Sequence, residues 1–268
     1  MYNDAESRDS VFCAVGRCSD RTMNIRWAEP KGGGCHAIYT WASCCDYIQR
    51  STTPWKGKHE LTRSIEETTK LFDTWASTYS RDLENANGIL EGYETSIETA
   101  SQVCSVTQGM HVLDIGIGTG NFAQRLEAKG AVVSGIDLSE AMVAECQKLH
   151  PNYELRTGTF QSIPFAESAF DLIVSSFCFH EVPAGQRLEA CREVYRVLRE
   201  GGHLCLLDII FASKSAMAEA RSHMLSHWDE SEEYSLVGDL SDSLYAAKFT
   251  SVRWVQTGRL HWMCLAYK

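Results

Sequence analysis

The chain has 268 residues, 44% apolar and 22% charged, an ordinary composition for a globular protein. Its formal net charge of −10 disfavours a nucleic-acid partner, because phosphates attract basic faces. No run approaches the roughly 20 apolar residues needed to cross a bilayer, and no apolar leader follows Asp4, Glu6, Arg8 and Asp9. The expectation is a cytoplasmic protein without a membrane span.

Residues 1–60 show no sustained period and hold Cys13, Cys18, Cys35, Cys44 and Cys45. We read them as a cysteine-rich irregular extension to a domain covering 61–268. A metal site built on Cys35, His36, Cys44 and Cys45 with Cys13 and Cys18 lacks the paired C-x2-C spacing of common zinc sites, so no metal is expected. The odd total of eleven cysteines, without a secretory leader, points to a reducing compartment and free thiols.

Regular structure begins at Ser64, which forms a capping box with Glu67. Leu71, Phe72, Trp75, Ala76 and Tyr79 follow at helical spacing, and Ile89, Leu90, Tyr93, Ile97, Ala100 and Val103 mark a second amphipathic helix. Strands and helices then alternate. The strands are His111–Ile115, Val132–Ile136, Tyr153–Thr157, Leu172–Ser176 and Leu204–Ile210, nearly continuous in apolar residues, as strands buried on both faces should be. Helices are expected over Asn121–Ala128, Glu140–Leu149 and Gln186–Arg199, the last stopped by Gly201-Gly202. Such alternation means βαβ units and a parallel sheet with helices on both faces. A helix over Ser215–Trp228 precedes an acidic run from Asp229 to Asp242. Two final strands, Ser251–Gln256 and Leu260–Ala266, are expected to pair antiparallel at the sheet edge.

The chemistry concentrates where the first strand of this region ends. Val112-Leu113-Asp114-Ile115-Gly116-Ile117-Gly118-Thr119-Gly120 is a strand running into alternating glycines, whose missing Cβ atoms allow a tight turn and a close ligand approach. An ordinary βα turn is the alternative. A dinucleotide loop is usually G-x-G-x-x-G. Here the third glycine comes one residue early and Asp114 stands two residues before the first. A pyrophosphate is poorly served by that carboxylate, whereas an ammonium could use it. Asp137 ends the next strand, about 20 residues beyond the first glycine, where a carboxylate accepts hydrogen bonds from ribose hydroxyls. Ser139 serves better than Asp137 as the following N-cap. Together these features favour S-adenosylmethionine over a nicotinamide cofactor.

With Phe72 to Tyr79, Gly135-Ile136-Asp137-Leu138-Ser139, Ile163-Pro164-Phe165, Phe170 to Val174 and Val197 to Gly202 added, residues from about 70 to 268 resemble class I S-adenosylmethionine-dependent methyltransferases, specifically the small-molecule enzymes of the ubiquinone/menaquinone-biosynthesis type. The resemblance implies a Rossmann-like, seven-stranded, mostly parallel sheet with an antiparallel edge strand. It also implies that Asp114, Gly116, Gly118 and Gly120 hold the methionine part of the cofactor and Asp137 the ribose. Leu138 and Met142 would lie near the adenine, with Tyr79 closing over the cofactor and Thr159, Phe160 and Ser176 completing the site. Two departures stand out. Gly158-Thr159-Phe160 replaces the family's frequent Gly-Asp-Ala, and Ser80 follows Tyr79 where an acid is usual.

The loop Ser175 to Val182 is expected to face the transferred methyl group, with His180 as a candidate base or orienting group. Cys178 has no cationic neighbour in sequence to activate it, and we exclude it as a nucleophile. The acceptor pocket is expected from the N-terminal helices, this loop and the segment after Phe211. His223, His227 and Trp228 are read first as an exposed helix face. Small-molecule methylation is the leading function. RNA or protein methylation, and a non-catalytic cofactor- or metal-binding regulatory role, are the alternatives.

Overall fold

The computed structural model describes residues 63–83, 88–224 and 228–268, and the backbone of β1 (Ala14–Val15), β2 (Arg26–Ala28) and β3 (His36–Ile38). The rest of the expected extension, with its cysteines, the boundary near residue 60, and His227 lie outside the described residues.

Helix α1 (Ile65–Trp75) opens with the expected capping box. Ser64 Oγ accepts from the Glu67 N–H, and Glu67 accepts from the Ser64 N–H. Its inward face carries Thr68 and Phe72, while Leu71, one residue round the helix, is 40% exposed. The single helical face expected through Tyr79 is therefore interrupted, and α2 (Tyr79–Leu83) is a separate short helix. Helix α3 (Tyr93–Val103) buries Tyr93, Ile97 and Ala100, starting after Gly92 in a left-handed conformation.

The alternating region follows. It comprises β4 (His111–Ile115), α4 (Ala123–Glu127), β5 (Val132–Asp137), α5 (Glu140–Leu149), β6 (Glu154–Thr157), β7 (Phe170–Ser176), α6 (Arg187–Val197), β8 (Leu198–Phe211) and α7 (Lys214–Met224). Then come β9 (Ser235–Leu236), α8 (Val237–Ala246), β10 (Ser251–Gln256) and β11 (His261–Tyr267). The sheet order is β1-β10-β11-β8-β7-β4-β5-β6, with β9 beside the end of β8. Strands β4 to β8 are mutually parallel; β11 runs against β8, and β10 against β11. The expected terminal pair is present, and its reversed member lies next to β8, so β10 is the outer of the two.

Alternation along the strands feeds two cores, one on each face. Val112 of β4 with Cys205 and Leu207 of β8 packs against Ile97 of α3 and Leu126 of α4. Leu113 and Ile115 with Leu204 and Leu206 pack against Val194 of α6 and Leu240 and Leu244 of α8. Helix α6 ends at Val197 and not at Arg199, because Leu198 already pairs with Phe170. Gly201-Gly202 therefore sits in the irregular start of β8, with Gly201 left-handed. The six cysteines of the described residues are free thiols, and no described helix is long and apolar enough to cross a membrane.

Candidate active site

Strand β4 pairs with β5 on one side and β7 on the other, so the order of the parallel strands reverses beside it. Connections leave in opposite directions there, and a crevice opens past the strand ends. A cleft of about 1100 Å³, counted to its open mouth, occupies that place. Tyr79, Gly116, Gly118, Asp137, Leu138, Met142, Thr159, Phe160 and Ser176 line it. Of the expected site residues, Asp114, Gly120 and His180 do not line it.

The glycine loop adopts a backbone that other residues resist: Gly116 has φ 72°, Gly118 53° and Gly120 88°. A Cβ on Gly116 would stand 2.2 Å from Cys178 Sγ, and one on Gly118 would stand 3.4 Å from Tyr79 Cε1. Those two glycines bring the loop against the cleft. A Cβ on Gly120 would instead meet the His150 ring at 2.8 Å, so this glycine serves packing behind the loop. Ser80, the departure from the family pattern, donates to Thr119 Oγ1 at 2.9 Å and ties α2 to the loop. Asp82, two residues further on, accepts from Trp75 Nε1 and Thr78 Oγ1.

Asp137 is buried, with Oδ2 accepting from the Gly118 N–H and Oδ1 from the Ser139 N–H, each at 2.9 Å. Burial pushes its carboxyl above the ordinary range, and the N–H groups of Ser139, Gly118 and Leu138 offset part of that rise. Asp114 lies beneath the loop, buried, with Oδ1 unpartnered. Burial, reinforced by the Asp137 charge, pushes its carboxyl well above the usual range. An orphaned buried carboxyl oxygen is costly unless a ligand supplies its donor. Helix α1 reaches across to this side, where Asp73 accepts from Ser139 Oγ at 2.5 Å.

Phe177 turns the loop after β7 in a left-handed conformation, φ 50°, rare for a bulky side chain. Its N–H donates to Leu207 O, and its ring packs on Tyr93 and His261. Cys178 is thereby held against Gly116. Its thiol pKa is pushed well up, first by burial and then by Asp137 and Asp208, which agrees with its exclusion as a nucleophile.

The single turn Phe179–Glu181 then separates two neighbours. His180 faces away from the cleft: its N–H donates to Asp208 Oδ2 at 3.0 Å, and Nδ1 lies 2.6 Å from Asp208 Oδ1. Burial opposes the imidazolium, yet the Asp208 carboxylate, with Glu232 and Glu181, raises its pKa to about 9. Glu181 takes the cleft-lining position. It accepts from Arg63 at 2.7 Å and from Thr68 Oγ1 at 3.4 Å. Arg63 also donates to Asp229 and Glu232, each at 3.1 Å. His180, Glu181 and Glu232 bring ligand-type atoms within 4.8 Å of one another, and Arg63 pairs with both glutamates. Asp229 and Glu232, in the acidic run after Phe211, thus pair with Arg63 beside the cleft without lining it. Trp228 packs on Phe211 and Tyr234, and His223 Nδ1 lies 2.8 Å from its own helix's Glu219 O.

This loop, cleft and sheet order define a methyltransferase domain, and comparison with known proteins agrees. The sequence profile described as "Methyltransferase domain" matches residues 112–202. An uncharacterized methyltransferase from Alkaliphilus oremlandii is 30% identical over 180 residues, covering 66% of this chain and 81% of that protein. An Aquifex aeolicus structure described as a SAM-dependent methyltransferase has a TM-score of 0.54 at 21% identity, covering 70% and 97% of the two chains. The [4+2]-cyclase SpnF has a TM-score of 0.62 at 16% identity, covering 78% and 97%, which shows a shared fold. The chain belongs to the class I S-adenosylmethionine-dependent methyltransferases, and its cofactor is S-adenosylmethionine.

Proposed function

We propose that this enzyme methylates a small molecule, held in the half of the cleft between α1 and the loop Phe177 to Val182. The observation that carries the reading is the shape of the site. Helix α1 spans its mouth, joined to Glu181 on one side through Arg63 and to Ser139 on the other through Asp73. A large polymer has little room beneath such a strap, and the net charge of −10 offers no basic face for RNA.

S-adenosylmethionine, when bound, would supply a methyl group on a sulfonium, activated toward an acceptor lone pair with the neutral thioether as leaving group. The residues fit that cofactor. Gly116 and Gly118 give the close backbone approach, and Asp137 stands at the end of β5 to take the ribose hydroxyls. Leu138, Met142 and Phe160 supply apolar walls for the adenine, with Thr159 and Ser176 as polar partners. Asp114 stays outside the cleft lining with its unpartnered oxygen sealed, so it is assigned no direct contact with the ligand. Tyr79, over Gly118, covers the loop. The protein's contribution is orientation and exclusion of water, an effect worth roughly 7–11 kcal/mol in well-aligned reactions. His180 is assigned no proton transfer; bound to Asp208, it positions Glu181.

Incubating the enzyme with methyl-labelled cofactor and a cell extract separated by size tests the reading. Label is expected in the low-molecular-mass fraction. Label recovered only in RNA or protein would overturn it.

A further inference from the structure

Within that reading, and resting on it, the charges at the acceptor end narrow the substrate class. The acidic and basic side chains lining the cleft are Arg63, Asp137 and Glu181. Asp137 belongs to the cofactor half, which leaves Arg63 and Glu181 beside the acceptor. Arg63 is already shared among three carboxylates. Its Nη1 donates to Asp229 and its Nη2 to Glu181 and Glu232. Its Nε has no partner but is sealed from solvent, out of a ligand's reach. Three carboxylates therefore surround one guanidinium. The nearby imidazole of His180 is taken by Asp208. The second buried cation on this side, Arg187, donates through Nε to Val182 O and through a terminal nitrogen to Glu233 O.

The remaining walls are apolar or neutral: Ile65, Phe72, Phe177, Val182 and Pro183, with Thr68 and Gln186. Glu181 is the exception. Its side chain keeps 11% of its exposure, held by Arg63 and Thr68 from α1 and fixed at the end of the short turn after Phe177. A carboxylate retains free lone pairs after two such contacts, since its two oxygens offer about four acceptor sites. Coulomb repulsion in an apolar-walled cleft is screened much less than at an exposed surface.

We propose that the acceptor is a neutral or cationic compound with an apolar body and an N–H or O–H group donating to Glu181, and that carboxylate- and phosphate-bearing acceptors are excluded. Glu181 is thus a specificity-determining residue. Three aryl probes of matched size read this directly: phenethylamine, phenethyl alcohol and hydrocinnamate, titrated by NMR against the full chain saturated with S-adenosylhomocysteine. One charge-assisted hydrogen bond corresponds to roughly tenfold or more in affinity. Phenethylamine is expected to bind at least about tenfold more tightly than hydrocinnamate, with the alcohol between them. Glu181→Gln is expected to bring the three within about threefold of one another. The order of the three affinities in the unaltered protein is a measurement that stands if the variant fails to fold.

Equal or tighter binding of hydrocinnamate overturns the proposal, as does a preference that survives Glu181→Gln. Absence of millimolar binding by all three probes overturns it too. Failure of the small-molecule reading would appear separately, as label recovered only in RNA or protein in the extract experiment.

Discussion

At the scale of single residues, the most informative side chain is one that does not line the cleft. His180 is 7% exposed, and its ring contacts Asp208, with Glu232 3.8 Å away and the Tyr234 ring beyond. Its folded pKa of about 9 lies above the ordinary value near 6.5. The imidazolium is therefore favoured by folding. Its contribution is fully present below about pH 6.5 and is lost as pH rises through about 9, amounting to about 3 kcal/mol from the size of the shift. Buried thiols such as Cys178 and Cys264 lose stability over an overlapping interval, because unfolding lets them ionise. The measurement must therefore be a difference. Thermal melts of the natural protein and His180→Gln between pH 6 and pH 10 are expected to converge as pH rises. Parallel curves would show that His180 folds uncharged.

At the scale of elements, the parallel strands were legible because burial on both faces leaves continuous apolar runs, and the Gly116 to Gly120 loop because its backbone excludes other residues. The clasp of α1 was not. Arg63 meets Asp229 across 166 residues of sequence, and no local pattern encodes such a pairing. The exchange of roles between His180 and Glu181 was hidden for a related reason. In a turn of about three residues, neighbours point roughly 120° apart, so sequence cannot say which one faces the cleft.

The clasp's other end gives a test of the element. Helix α1 is mostly exposed and buries only Thr68 fully, so its attachment depends on polar contacts such as Asp73 to Ser139. Removing a charged hydrogen bond costs about 1.5–3 kcal/mol, or roughly tenfold and more in the local opening equilibrium. Asp73→Ala is expected to speed amide exchange across α1 by at least about tenfold, while β4 and β7 exchange as before. Unchanged exchange in α1 would mean that Arg63 and the inward apolar contacts hold the helix unaided.

At the scale of the whole molecule, the sheet places two acids where a dinucleotide would bring its phosphates. Asp114 lies under the loop and Asp137 beside it, and both are buried. A pyrophosphate at the start of α4 would bring its charge against two carboxyl groups whose ionisation burial already opposes, whereas a ribose supplies donors to Asp137. Cofactor binding should then stabilise the whole fold, since the loop, β5 and α5 are all fixed around one ligand. Ligand at 100 times its Kd adds about 2.7 kcal/mol. A domain of this size gains about 2–4 °C in Tm per kcal/mol, so S-adenosylhomocysteine is expected to raise Tm by about 5–10 °C. NADH at the same concentration should leave it unchanged. Asp137→Asn keeps the side chain's size but loses the charge that ribose hydroxyls and the Gly118 and Ser139 N–H groups share. It should remove most of the shift while changing the unliganded Tm less. A full shift in that variant would place the ribose elsewhere, and a shift with NADH would mean that the acids beneath the loop do not select against a dinucleotide.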